Sequence, residues 1–186
     1  MKTFFTSDTH FGHGRVIELC KRPFADVTTM DESMIDAWNA RVASDDIVWH
    51  VGDFAMGREE KIEATFHRLN GVKNLVIGNH DEDNEAVLTL PWASTSQIAT
   101  TIVDGQRITM CHYPMKSWPY AHKGAIHLFG HMHGRLKGTR RSLDVGTDCW
   151  RFQPVTLDEI RRKLKTLSTD PDLSDAYFAG HAKTNK

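Results

Sequence analysis

The chain has 186 residues, of which 40% are hydrophobic and 25% charged, and its formal net charge is -1. This length suits one compact domain with its own core. The ordinary composition and near-zero charge argue against a disordered acidic chain and against a globally basic nucleic-acid binder, leaving room only for a local basic patch.

Three cysteines, Cys20, Cys111 and Cys149, form no C-x-x-C pair. An odd, scattered set suits a reduced cytoplasmic protein rather than a disulfide framework or zinc ribbon. The N-terminal apolar stretch is too short for a signal peptide, and nothing reaches the roughly 18 apolar residues of a membrane span, so no membrane contact is expected.

In chain order, residues 2–7 (KTFFTS) are apolar and aromatic and predict a buried strand. The chain then turns over Asp8–Gly14, and a short helix is expected near 14–21, stopped by Pro23. Thr29 and Glu32 have capping-box spacing, and Met30, Met34, Ile35, Trp38 and Val42 then share one helical face. Residues 46–51 predict a second strand ending at Gly52-Asp53, 58–69 a helix, and 72–77 a third strand ending at Gly78-Asn79-His80-Asp81. Strands alternating with helices imply right-handed crossovers and a parallel sheet.

The second half changes character. Segments 97–103 and 106–111 flank Asp104-Gly105, a hairpin signal. Residues 125–129 predict a strand running into Gly130-His131-Met132-His133-Gly134, and 141–146 another. Thr156 with Glu159 is a second capping-box pattern, leading into a helix marked by Leu157, Ile160, Leu164 and Leu167. This bounds a domain at 1–167, and the polar stretch 168–186 reads as a loosely ordered tail.

Asp8, Asp53, Asn79, His112 and His131 each sit just past the end of an apolar run. In a parallel sheet those ends share one edge, where ligands bind. Asp8 and His10, at i and i+2, would point to the same side of an extended chain and could hold one metal. Taken alone, each segment has a plain structural reading: a turn aspartate, a helix cap, or a polar left-handed turn. The glycines around His131 and His133 would let backbone approach a ligand closely. Of the eleven histidines, His50, His67, His122, His127 and His181 are read as scattered surface residues. Cys111 should face the core, opposite His112. Trp118, Tyr120 and Trp150 are candidates for pocket lining or for buried packing.

In order, the chain carries D-x-H, GD, GNHD, a lone His and GHxH. Motif by motif, over roughly residues 3–150, it resembles the calcineurin-like metallophosphoesterase superfamily. The stretches S-D-x-H-F-G-H and D-V-G-T-D-x-W-x-F-x-P-V are similar to its small bacterial and phage-type members. The resemblance implies an α/β fold, a four-layer αββα sandwich of two mixed sheets with a dinuclear metal site at the strand ends. It implies a first metal held by Asp8, His10, Asp53 and His133, and a second by Asp53, Asn79, His112 and His131, with Asp53 bridging. The imidazole and oxygen donors suit two divalent transition-metal ions, Mn or Fe first, with Zn, Co or Ni as alternatives.

The implied reaction is hydrolysis of a small phosphate ester, phosphodiesters preferred, by a hydroxide generated between the metals. His80 would be the catalytic acid, and Asp81 would either orient it or cap the next turn. His13 and Arg15, with Asn79, are candidate substrate-binding residues, because arginine pairs well with phosphate oxygens; the plain readings are a hydrogen-bonding neighbour for His13 and a surface residue for Arg15. Phe54-Ala55-Met56-Gly57 stands where protein phosphatases carry Asp-Arg-Gly, which disfavours a phosphoprotein substrate. Phosphomonoesterase, nuclease on DNA or RNA, and a non-catalytic interaction scaffold remain the alternatives. The oligomeric state is left open.

Overall fold

A computed structural model describes residues 1–169. All of the expected tail except Ser168 and Thr169, together with His181, lies outside the described residues. The elements run β1 (Thr3–Thr6), α1 (Arg15–Cys20), α2 (Val27–Asn39), β2 (Ile47–His50), α3 (Glu59–Arg68), β3 (Val72–Val76), α4 (Glu85–Leu88), β4 (Ser94–Ser96), β5 (Ile98–Val103), β6 (Gln106–Cys111), β7 (Ile126–Phe129), β8 (Ser142–Asp144), β9 (Val155–Thr156) and α5 (Leu157–Leu164).

Among the described residues these strands form two mixed sheets. The first has the order β4-β3-β2-β1-β9, parallel from β1 to β4, with β9 antiparallel to β1. The second has the order β5-β6-β7-β8, with β5 antiparallel to β6 and the rest parallel. The Asp104-Gly105 turn joins β5 to β6 with positive φ at both residues (45° and 73°), which matches the right-handed twist of a two-residue hairpin.

Side-chain alternation builds the layers. In β1, Phe4 packs with Met30, Met34, Ile35 and Trp38 of α2 and Ile62 and Phe66 of α3. Its neighbour Phe5 points the other way, to Ile108, Met110, Leu128 and Leu143 of the second sheet. Leu75 and Val76 of β3 divide in the same manner. The helical face expected for α2 is therefore the buried one. The α5 residues Leu157, Ile160 and Leu164 join the inter-sheet core. Over the outer face of the second sheet, a segment with a 3₁₀ turn at Ala121–Lys123 packs Trp118, Ala121 and Ala125. No helix among the described residues is long and apolar enough to cross a membrane.

Three details depart from expectation. The cap of α2 is Asp26, whose carboxylate accepts the Thr29 amide at 2.7 Å. Thr29 lies inside the helix, and Glu32 instead pairs with Arg68 of α3 at 2.7 Å. Aspartate outcompetes threonine here because it sits where the chain is still extended. His50 and His127 are not surface residues: both are fully buried. His50 closes β2 beneath Thr9, 2.9 Å from its hydroxyl, and His127 stacks on Trp118. The short elements α4, β4 and β9 lack any apolar period, and pairing with longer neighbours defines the two strands.

The expected capping box on α5 is present. Thr156 accepts from the Glu159 amide, and the Glu159 carboxylate accepts from the Thr156 amide at 2.8 Å. Thr156→Ala should lower the unfolding free energy by about 1 kcal/mol, read from urea denaturation with an unchanged m-value.

Candidate metal centre

The C-terminal ends of β1, β2, β3, β6 and β7 meet at one edge, stitched by backbone bonds. The Asp8 amide donates to Gly52 O at 2.9 Å and His10 to Asp53 O at 3.1 Å. The Thr9 hydroxyl donates to Phe54 O at 2.7 Å. Thr147 N donates to Ser7 O at 2.9 Å and brings in the segment after β8.

The backbone at this edge is unusual. Asp8, His10, Asp53, His131 and His133 all have φ between 47° and 67°, and they make up five of the ten described non-glycine residues with positive φ. Left-handed backbone is costly for such residues and clusters at functional sites. It also corrects the reason for pairing Asp8 with His10. They face one another because both are kinked, not because the chain is extended.

The seven residues singled out from the sequence converge here. The buried Asp53 carboxylate is the hub. Its Oδ2 lies 3.5 Å from His10 Nε2 and 3.4 Å from His112 Nε2, and its Oδ1 accepts the His80 amide at 2.9 Å. His112 Nδ1 donates to Val51 O at 2.8 Å, which turns Nε2 inward. Asn79 Oδ1 lies 3.1 Å from His112 Nε2 and 2.9 Å from His131 Nδ1. On the other side, Asp8 accepts the His131 amide at 3.0 Å, and its Oδ1 lies 3.9 Å from His133 Nε2. Close donor groups include Asp8, His10 and His133; Asp8, Asp53 and His112; and His10, Asp53 and His80.

Burial pushes the Asp8 carboxyl up to about 7, against the pull of His112 and His133. Burial also opposes ionisation of Asp53, but the hydrogen bond and charge of His112 outweigh it and hold Asp53 well below the usual carboxylate range. Burial keeps His10 neutral, far below the ordinary histidine value.

One atom tests whether cations fit. His10 Nε2 is buried and has no hydrogen-bond partner, yet it faces the Asp53 carboxylate. If Nε2 carries no proton, a lone pair opposes a carboxylate in a dry setting, which is unfavourable unless a positive charge lies between them. With its imidazole and carboxylate donors, the cluster fits divalent transition metals.

The candidate substrate groups ring this cluster. His80 is exposed, with its ring 5.2 Å from His10 and 6.0 Å from His13. His13 is half-buried, with Nδ1 3.4 Å from His10 Nδ1. Arg15 is exposed at the start of α1, near enough to help lower the pKa of His13, where burial is the larger cause. Asp81 does not serve His80. Its carboxylate accepts the amides of Asp53, Phe54 and Gly78 at 2.7–3.0 Å.

Cys111 is buried, as expected for a core position. Trp118 is core packing, Trp150 is half-buried and donates to Asp144 O at 2.9 Å, and Tyr120 is an exposed ring under Arg107. A cleft of about 460 Å³ between α2 and α3 is lined by Phe11, Gly12, Asp31, Met56, Arg58 and Lys61 among others. Its lining includes none of the seven residues. Asp144, which accepts the amides of Gly134 and Gly146, was missed from the sequence, as were Arg22 and Asp148. The two aspartates lie in the D-V-G-T-D stretch, but Arg22 carries no local signal.

A sequence profile of the calcineurin-like phosphoesterase superfamily domain matches residues 1–167. An uncharacterized protein of Methanocaldococcus jannaschii is 29% identical over 184 residues, covering 92% of this chain and 98% of that one. The gene 66 protein of Mycobacterium phage D29 is 28% identical over 195 residues, covering 88% and 96%. The crystal structure of an Aquifex aeolicus protein of unknown function superposes with a TM-score of 0.69 at 21% identity, over 87% of this chain and 98% of that one, a likeness of fold.

Gly130 lets the β7 loop press against β1. A Cβ there would collide with Ser7 Oγ and stand 2.5 Å from Asp8 Oδ2. Gly130→Ala should therefore destabilise the metal-free protein by about 1–3 kcal/mol, measured by chemical denaturation.

Proposed function

Because the chain belongs to the calcineurin-like phosphoesterase superfamily and is thereby a hydrolase of phosphoric ester bonds, we propose that it cleaves small phosphodiesters at a two-cation centre bridged by Asp53. The observation that supports a cation at this centre is the buried, unpartnered His10 Nε2 facing the Asp53 carboxylate. Asp8, His10, Asp53 and His133 would hold one cation, and Asp53, Asn79, His112 and His131 the other. Mn or Fe are the favoured ions, with Zn, Co or Ni as alternatives. When bound, such a pair makes water a better nucleophile near neutral pH and neutralises charge on the phosphoryl oxygens.

The remaining work falls to side chains at the rim. His80 is exposed beside the cluster, its amide anchored on Asp53 Oδ1. It would hold a proton over the leaving oxygen and deliver it as the ester bond breaks. His13, beside both His10 and His80, and Arg15 would bind phosphoryl oxygens, with the Asn79 amide completing the cradle.

The test of substrate class is turnover of bis-p-nitrophenyl phosphate against p-nitrophenyl phosphate on Mn²⁺-reconstituted protein. Faster diester cleavage supports the proposal, and preference for the monoester reverses it. For His80→Gln, kcat should fall about 10²–10⁴-fold on esters with alkyl leaving groups. The loss should be much smaller with nitrophenyl leaving groups, which depart without a proton. An equal loss on both substrate types would remove the general-acid role.

A further inference from the structure

Next to the His133 side of the cluster lies a buried cation that the chemistry above does not use. Arg22 follows α1, and its side chain is fully buried. Nη2 donates to Asp8 O at 2.7 Å and Nη1 to Thr9 O at 2.9 Å. Nε and Nη2 also form a fork on the Asp148 carboxylate at 2.9 and 2.8 Å. Asp148 Oδ2 in turn takes His133 Nδ1 at 2.8 Å.

One guanidinium thus ties three segments distant in sequence: the loop after β1, the 3₁₀ turn at Thr147–Cys149 and the loop after β7. An arginine–carboxylate fork fixes direction as well as distance. With the proton of His133 on Nδ1, its Nε2 presents a lone pair toward Asp8. The opposite side is built differently, since His112 is oriented by a backbone carbonyl, Val51 O. Cys20 also lies within reach of His133 and Asp148, but Arg22 already occupies both Asp148 oxygens, so that triad is a poor cation site.

We propose that Arg22 and Asp148 are positioning residues that set the affinity of one cation only, the one assigned to Asp8, His10, Asp53 and His133. This rests on the two-cation reading above. A carboxylate behind a ligating imidazole fixes its tautomer and raises its basicity, and losing such a partner typically costs 10–100-fold in metal affinity. The two halves of the centre should therefore respond unequally.

The experiment is calorimetric titration of metal-free protein with Mn²⁺, backed by elemental analysis, on the full chain and three variants. Asp148→Ala should weaken one of two binding events by about 10–100-fold and leave the other within about twofold. Asp148→Asn keeps shape and an acceptor but not the charge, so it should give a smaller shift in the same event. Arg22→Lys keeps charge but loses the fork and should fall between them. Thermal unfolding of the metal-free variants checks folding, and the near-isosteric Asp148→Asn carries the test if either of the others does not fold. Two unchanged affinities, or two that weaken together, would overturn the proposal. A wild-type chain that takes up no divalent metal would instead overturn the two-cation reading itself.

Discussion

The Asp53 carboxylate is buried within reach of three imidazole-bearing loops, and the surrounding structure is organised by the need to keep it there. Removing a carboxylate from water is expensive unless charge and hydrogen bonds compensate. Here the compensation comes from His112 at Oδ2 and from the His80 amide at Oδ1. Each arrives from a different strand end, so strand order and register must deliver them together. The approach is close enough that a Cβ on Gly78 would strike Asp53 Oδ1.

The loops meeting at this edge have little regular structure, so their backbone amides need other acceptors. Carboxylates supply many of them. Asp31 accepts Gly12 N, Asp81 accepts Asp53, Phe54 and Gly78, Asp144 accepts Gly134 and Gly146, and Asp8 accepts His131. Asp53 and Asp8 face imidazoles, while Asp81 and Asp144 brace the peptide chain that presents them. This division explains why Asp81, although adjacent to His80, is turned to backbone amides instead.

Sequence periodicity was a good guide to the long elements and a poor one to anything decided by a neighbour. The α2 face and the β5–β6 hairpin follow from local spacing. The α2 cap does not, because Asp26 and Thr29 both satisfy a capping rule and only backbone direction selects between them. His50 and His127 look like ordinary polar residues in short strands. They are buried because Thr9 lies over one and Trp118 over the other, contacts between segments 41 and 9 residues apart.

By itself the sequence determined which residues could meet: donors placed just after apolar strands, in an order matching a known superfamily. That information is local, because each motif needs only its strand and its turn. Tertiary structure decided how they meet. The left-handed backbone at Asp8, His10, Asp53, His131 and His133, the use of Asp81 on peptide amides, and the Arg22–Asp148–His133 chain all depend on which strand ends are neighbours. The physical reason is that a hydrogen bond or ion pair across 28 or 126 residues of sequence leaves no periodic trace in the chain.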